Sequence, residues 1–164
     1  MKKIALVCIA LLGLLAAPAF AAEWGAPKVL NAELGADLGF GWIGGSAGAE
    51  LGLFQWNLGP QFKLNFGVKG AAGVDLDFLS AGIRLGVGAY GVLHYPIKQL
   101  NTGIDFLNKL DYWLGLGVGL HILSTFYPTP AYTSGVSYDL NSNLAVYAGY
   151  NEFGGSSFGI KTTF

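Results

Sequence analysis

The chain has 164 residues, 52% of them hydrophobic and only 12% charged, with 26 glycines. Its net charge of -1 becomes -3 once an amino-terminal leader carrying Lys2 and Lys3 is set aside, because seven basic residues then face ten acidic ones. That excludes a basic surface for nucleic acid, and since the single cysteine, Cys8, lies in the leader, it also excludes disulfides and thiolate metal sites in the rest of the chain.

The first 24 residues read MKKIALVCIALLGLLAAPAFAAEW. Two lysines, a short apolar run and the small-residue signature Ala19-Phe20-Ala21 have the layout of a secretory signal peptide, expected to be cut after Ala21. Residues 22–164 then form a single domain that burial and backbone pairing must hold without bridges. They contain no apolar run of about 18 residues that would make a membrane helix. The apolar content comes instead in alternation, which points to a transmembrane β-barrel.

Residues 30–42, LNAELGADLGFGW, place Leu30, Ala32, Leu34, Ala36, Leu38, Phe40 and Trp42 on one face. Glu33 and Asp37 fall on the other. The second segment, about 47 to 56, changes its apolar phase near Phe54, which means either a β-bulge or a misplaced boundary. The third, QFKLNFGVKG, sets Phe62, Leu64, Phe66 and Val68 against Gln61, Lys63, Asn65 and Lys69. The fourth runs from about 79 to 94 and opposes Leu79, Ile83, Leu85, Val87 and Leu93 to Ser80, Arg84, Tyr90 and His94.

Between this segment and the next, PIKQLNTGIDFLNKL spaces Ile97, Leu100, Ile104, Leu107 and Leu110 three or four apart. That spacing fits a short amphipathic helix at a membrane surface or an irregular turn, with Gly103 weakening the helix. The fifth segment turns Tyr112, Leu114, Leu116, Val118, Leu120 and Ile122 away from Trp113 and His121. Three shorter ones follow, about 132 to 140, 144 to 150 and 156 to 164, separated by the turn-forming DLNSN and NEFGG. Eight segments predict an all-β, eight-stranded antiparallel up-and-down transmembrane β-barrel over residues 22–164.

A soluble eight-stranded barrel turns its apolar residues inward. Here the polar face is too rich in glycine for a soluble exterior, with six on the fourth and fifth segments alone. The apolar face is therefore expected to meet lipid, with the sheet closed so that no backbone group is left unpaired in hydrocarbon. Aromatic residues fall near strand ends as two belts: Trp42, Phe126, Tyr127, Tyr132 and Tyr150 at the outer rim, and Phe62, Tyr95, Tyr112, Tyr138 and Phe164 at the inner.

The ending SSFGIKTTF, with Phe158, Ile160 and Phe164 in alternation, is similar to the C-terminal signal that bacterial outer-membrane barrels present to their assembly machinery. Thr162 departs from it, standing where a bulkier apolar residue is common. The chain from residue 22 onward resembles the small OmpA/OmpX-type barrels. The resemblance implies an outer-membrane location with lipid and the assembly machinery as partners; a monomer is expected, and, with the last segment ending at Phe164, no peptidoglycan-binding domain is expected to follow it. It specifies an architecture and little activity.

The interior is expected to carry Glu33, Asp37, Glu50, Lys63, Lys69, Arg84, His121 and Lys161, with His94 beside them. Charges so secluded need partners. If Leu58 pairs with Gln61, then Glu50 lies opposite Lys69 and Trp56 opposite Lys63, and closing the barrel brings Lys161 near Glu33. The set reads as a network plugging the lumen, with a narrow passage or small cavity left open by the interior glycines as the alternative. Ser80 and His121 have no orienting acid for nucleophilic catalysis, and GLGVG is explained by strand alternation without a phosphate loop. No enzyme activity, cofactor or metal is expected. The function expected is structural, in envelope integrity or surface interaction; the alternative is a narrow pore or carrier for small solutes. The proposed outer loops, IGGS, AAGVDLD, STFYPTPA and NEFGG, are short for an adhesin.

Overall fold

A computed structural model describes residues 24–59, 62–100, 103–122, 127–151 and 155–164. The leader with Cys8, and Gln61, Phe126 and the side chain of Tyr127, lie outside the described residues. Eight strands form a closed antiparallel barrel in sequence order: β1 (Leu30–Gly39), β2 (Trp42–Gly59), β3 (Phe62–Asp77), β4 (Gly82–Pro96), β5 (Leu110–His121), β6 (Tyr127–Asp139), β7 (Leu144–Asn151) and β8 (Gly155–Thr163). β8 closes on β1, with Glu33 opposite Lys161. Closure removes the free edges that an open sheet would leave.

The alternation fixes which way each side chain points. Along β1, Leu30, Leu34 and Leu38 are 41 to 46% exposed, whereas Asn31 and Asp37 are buried. The same inversion runs around the wall: Leu, Val, Ile and Phe stand outward, and the largest fully buried side chains among the described residues are His94, Asn65, Asp37, Thr133 and Ser137 together with Val92 and Asn31. A small buried apolar cluster lies in the interior, formed by Tyr90, Val92, Trp113, Ala131 and Tyr147.

The phase change near Phe54 is a β-bulge. The register between β2 and β3 shifts between Gly52 and Phe54, so Leu53 and Phe54 both face outward. A second irregularity lies between Asn57 and Gly59. As a result Trp56 is opposite Leu64, correcting the expected pairing with Lys63, while Glu50 does lie opposite Lys69. Each bulge adds one residue to β2, and the two-residue-turn arithmetic assumed none.

Several strands are longer than their alternation suggested. IGGS belongs to β2, AAGVDLD to β3, and residues 127–131 to β6, so the expected loops shrink. The turns at that end include Phe40 and Gly41, with Gly41 at φ +83°, and residues 78–81. Leu79 and Ser80 sit in the latter turn rather than in a strand. Pro128 and Pro130 extend β6 from its start, where a strand tolerates proline.

Within 96–110 the described residues form two short 3-10 turns, Ile97–Leu100 and Leu107–Lys109, and residues 103–106 between them are not helical. Gly103 at φ +71° is incompatible with a right-handed helix through the middle. No helix among the described residues is long and apolar enough to cross a membrane, which says nothing of crossing by strands.

Candidate functional site: the charged lumen

The half of the barrel nearest the start of β1 and the end of β8 holds a layer of charges. Lys69 forms an ion pair with Glu33, and Lys161 Nζ lies 3.8 Å from Glu50. The register placed each lysine opposite the other glutamate, yet the side chains exchange partners. Glycines let each glutamate leave the residue opposite it. A Cβ on Gly48 would meet Glu33 Oε1 at 2.8 Å, and one on Gly67 would meet Glu50 Oε1 at 2.9 Å. Each glutamate therefore leans over a glycine on the next strand toward a cation one strand further on.

Glu50 meets His94 there. His94 Nε2 lies 2.8 Å from Glu50 Oε1, and Nδ1 lies 2.6 Å from Asp111 Oδ2, with the ring fully buried. A neutral imidazole has a single N–H. Two hydrogen bonds to carboxylates therefore require a hydrogen on each nitrogen or on one carboxyl. With the ring doubly protonated, Glu33, Glu50 and Asp111 are balanced by Lys69, Lys161 and His94, which is how a buried charge cluster is satisfied.

Aromatic rings complete the layer. Lys69 lies 4.9 Å from the Trp113 ring centroid and Lys161 lies 4.7 Å from that of Trp24. Trp24 comes from the segment before β1 and folds into the mouth of the barrel, where it is buried. Its Nε1 donates to Asp139 at 2.6 Å, and its carbonyl accepts from Asn65 Nδ2 at 3.0 Å. Gly25, at φ +67°, presses on His94: a Cβ there would stand 2.6 Å from the imidazole Cδ2. Backbone hydrogen bonds from Lys28 to Gly52 and from Gly52 to Val29 tie the segment to β2. The amino-terminal segment is thus a cork beneath the ionic layer.

A second polar group lies toward the opposite end. Asp37 and Asp75 are buried and both stand opposite Gly44, and Asp75 also stands opposite Arg84. Ser46 donates to Asp37 at 3.1 Å. Arg84 lies 4.8 Å from the centroid of Trp42. His121, the last residue of β5, pairs in register with Gly86, two residues from Arg84.

The expected single network is therefore two. Glu33, Glu50, Lys69 and Lys161 come together; Asp37, Arg84 and His121 lie in the other half. Lys63 is a correction: it is exposed at the start of β3, beyond the ionic layer. Trp42 is another, since it opens β2 and turns inward onto Arg84 instead of ending β1 at the outer surface. The turn at Phe40 and Gly41 uses two residues, so the even-numbered face that points outward in β1 points inward in β2.

Asp111 and Trp24 had no place in the sequence reading. Asp111 precedes the expected start of its strand by one residue, and its parity with Trp113 was the available signal. Trp24 precedes all alternation and carried none. Among the described residues, no group of three or more His, Cys, Asp or Glu side chains has an arrangement that could hold a metal ion.

Phe158 and Ile160 stand outward on β8, and Phe164 donates its backbone N–H to Leu30 at 2.8 Å. The belt residues pair at the surface: Tyr132 stacks on Tyr150 at 5.0 Å, and Phe62 meets Tyr95 at 5.0 Å. No family model matches the chain, and no curated protein matches it.

Proposed function

We propose that this protein spans an outer membrane as a small barrel of OmpA/OmpX type, structural in the envelope, with a lumen closed to solutes. The sidedness of the sheet carries this reading: apolar side chains face outward at alternate positions while paired buried charges lie inside. In water such an exterior would be an aggregation surface. In lipid it is the stable arrangement, because the closed sheet leaves no backbone group unpaired.

The leader and the outward pattern of Phe158, Ile160 and Phe164 support export and delivery to barrel assembly machinery. Short turns at Phe40 and Gly41 and at residues 78–81 favour a structural role over adhesion through extended loops. The interior glycines favour closure too, since large side chains lie across several of them. The protein reconstituted in a planar bilayer is expected to stay electrically silent. Reproducible channels lost on blocking the lumen would overturn closure and favour a narrow pore instead.

A further inference from the structure

The 96–110 connection is a long one in a barrel whose neighbouring turns are tight, and neither the ionic layer nor the cork uses it. It is fastened at two places. Gln99 binds the backbone of Lys63 in both directions, its Oε1 accepting from the Lys63 N–H at 2.5 Å and its Nε2 donating to the Lys63 carbonyl at 2.9 Å. At the far side Phe106 stacks on Tyr138 with centroids 5.2 Å apart, and Lys109 Nζ lies 5.8 Å from the centroid of the same Tyr138 ring. Lys63 lies near the start of β3 and Tyr138 near the end of β6, so the described parts of the connection are tied to the rim at β3 and at β6.

The path leaves apolar side chains uncovered. Leu100, Ile104 and Phe106 are 57, 54 and 58% exposed, close to the outward wall residues Ile83 and Val118 at 55 and 58%. Tyr138 faces outward on β6, so the stacked Phe106 continues the apolar exterior past the strand ends. Beside it stand cations: Lys63 is exposed, and Lys109 lies over the tyrosine. Apolar residues next to an aromatic ring and lysines suit the headgroup boundary of a bilayer, where carbon sinks toward the acyl chains and the ammonium stays with phosphate.

We infer that residues 97–100 and 103–109 form an interfacial half-collar seated on the phospholipid leaflet at this rim, with Leu100, Ile104 and Phe106 at the acyl boundary and Lys63 and Lys109 on anionic headgroup phosphates. This rests on the membrane-spanning reading above. The collar would hold the barrel at a fixed depth, a task that the shorter turns at the opposite end are not built for.

The test uses the protein in vesicles of mixed phosphatidylglycerol and phosphatidylcholine, with Cys8→Ser and an environment-sensitive fluorophore on Ile104→Cys or, separately, on Leu116→Cys. At position 104 the expected result is quenching by lipid spin-labelled near the headgroup at least twofold stronger than by lipid labelled deep in the chain, with little quenching by aqueous iodide. Spin-labelled phosphatidylglycerol should quench at least twofold more than spin-labelled phosphatidylcholine, and Lys63→Gln with Lys109→Gln should bring that ratio to about one. Iodide quenching at 104 with lipid quenching at 116 would overturn the collar while leaving the barrel in the membrane. Iodide quenching at both positions would overturn the membrane reading itself. Lipid quenching at 104 that is indifferent to headgroup charge would overturn the phosphate assignment.

Discussion

Glu33 reaches Lys69 and Glu50 reaches His94 because the strand between each pair offers a glycine for the side chain to cross. Such a pair is more damaging to break than to delete, since removing one partner leaves the other charge buried and uncompensated. Lys69→Met is therefore expected to destabilise the barrel by about 3 to 5 kcal/mol. Adding Glu33→Leu should recover much of that loss, and urea unfolding in lipid vesicles measures both. Trp24→Ala removes a buried ring and frees the cation it covers, at an expected cost of about 3 kcal/mol or more. An unchanged midpoint would mean that the cork adds nothing to stability. The inward position of Glu33 was legible from alternation alone; its partner was not, because the register names the residue opposite and the glycine decides where the side chain lies. Asp111 required a strand boundary accurate to one residue, and Trp24 a contact with no local pattern at all.

At the scale of strands, the glycines on the inner face are seats for side chains from neighbouring strands. A Cβ on Gly135 would come within 2.5 Å of the Trp113 ring and 2.6 Å of the Ala148 carbonyl, whereas one on Gly70, which faces outward, meets nothing within 4 Å. Gly135→Ala should thus cost about 1 to 3 kcal/mol by overpacking, and Gly70→Ala should be neutral or slightly stabilising. The same unfolding assay separates them, and equal effects would refute the seating of Trp113. Period-two alternation located all eight strands because each strand has one apolar face. It underestimated the length of β2, β3 and β6, because Gly44 and Gly45, Ala71 to Gly73, and Pro128 and Pro130 interrupt the hydropathy contrast. The helical spacing in 96–110 was real in sequence, but Gly103 and the ties at Lys63 and Tyr138 bend that segment around the rim.

For the molecule as a whole, closure of the sheet and charge pairing in the ionic layer belong together. A layer with net charge would draw in water and counter-ions, and this one pairs three carboxylates with two lysines and a histidine beside Trp24. Conductance should accordingly remain at the baseline of a bare bilayer across physiological salt. The barrel architecture was readable from composition and period; the division of the lumen into two polar groups was not, since it depends on which strands meet at each height. The central claim is that this barrel is apolar side out in lipid, and a spin-label scan along residues 30–38 in bilayers tests it most directly. The account predicts high oxygen and low aqueous-nickel accessibility at Leu30, Leu34, Ala36 and Leu38, alternating with immobile, inaccessible labels at Asn31, Glu33 and Asp37. Aqueous accessibility at the leucine positions would contradict it.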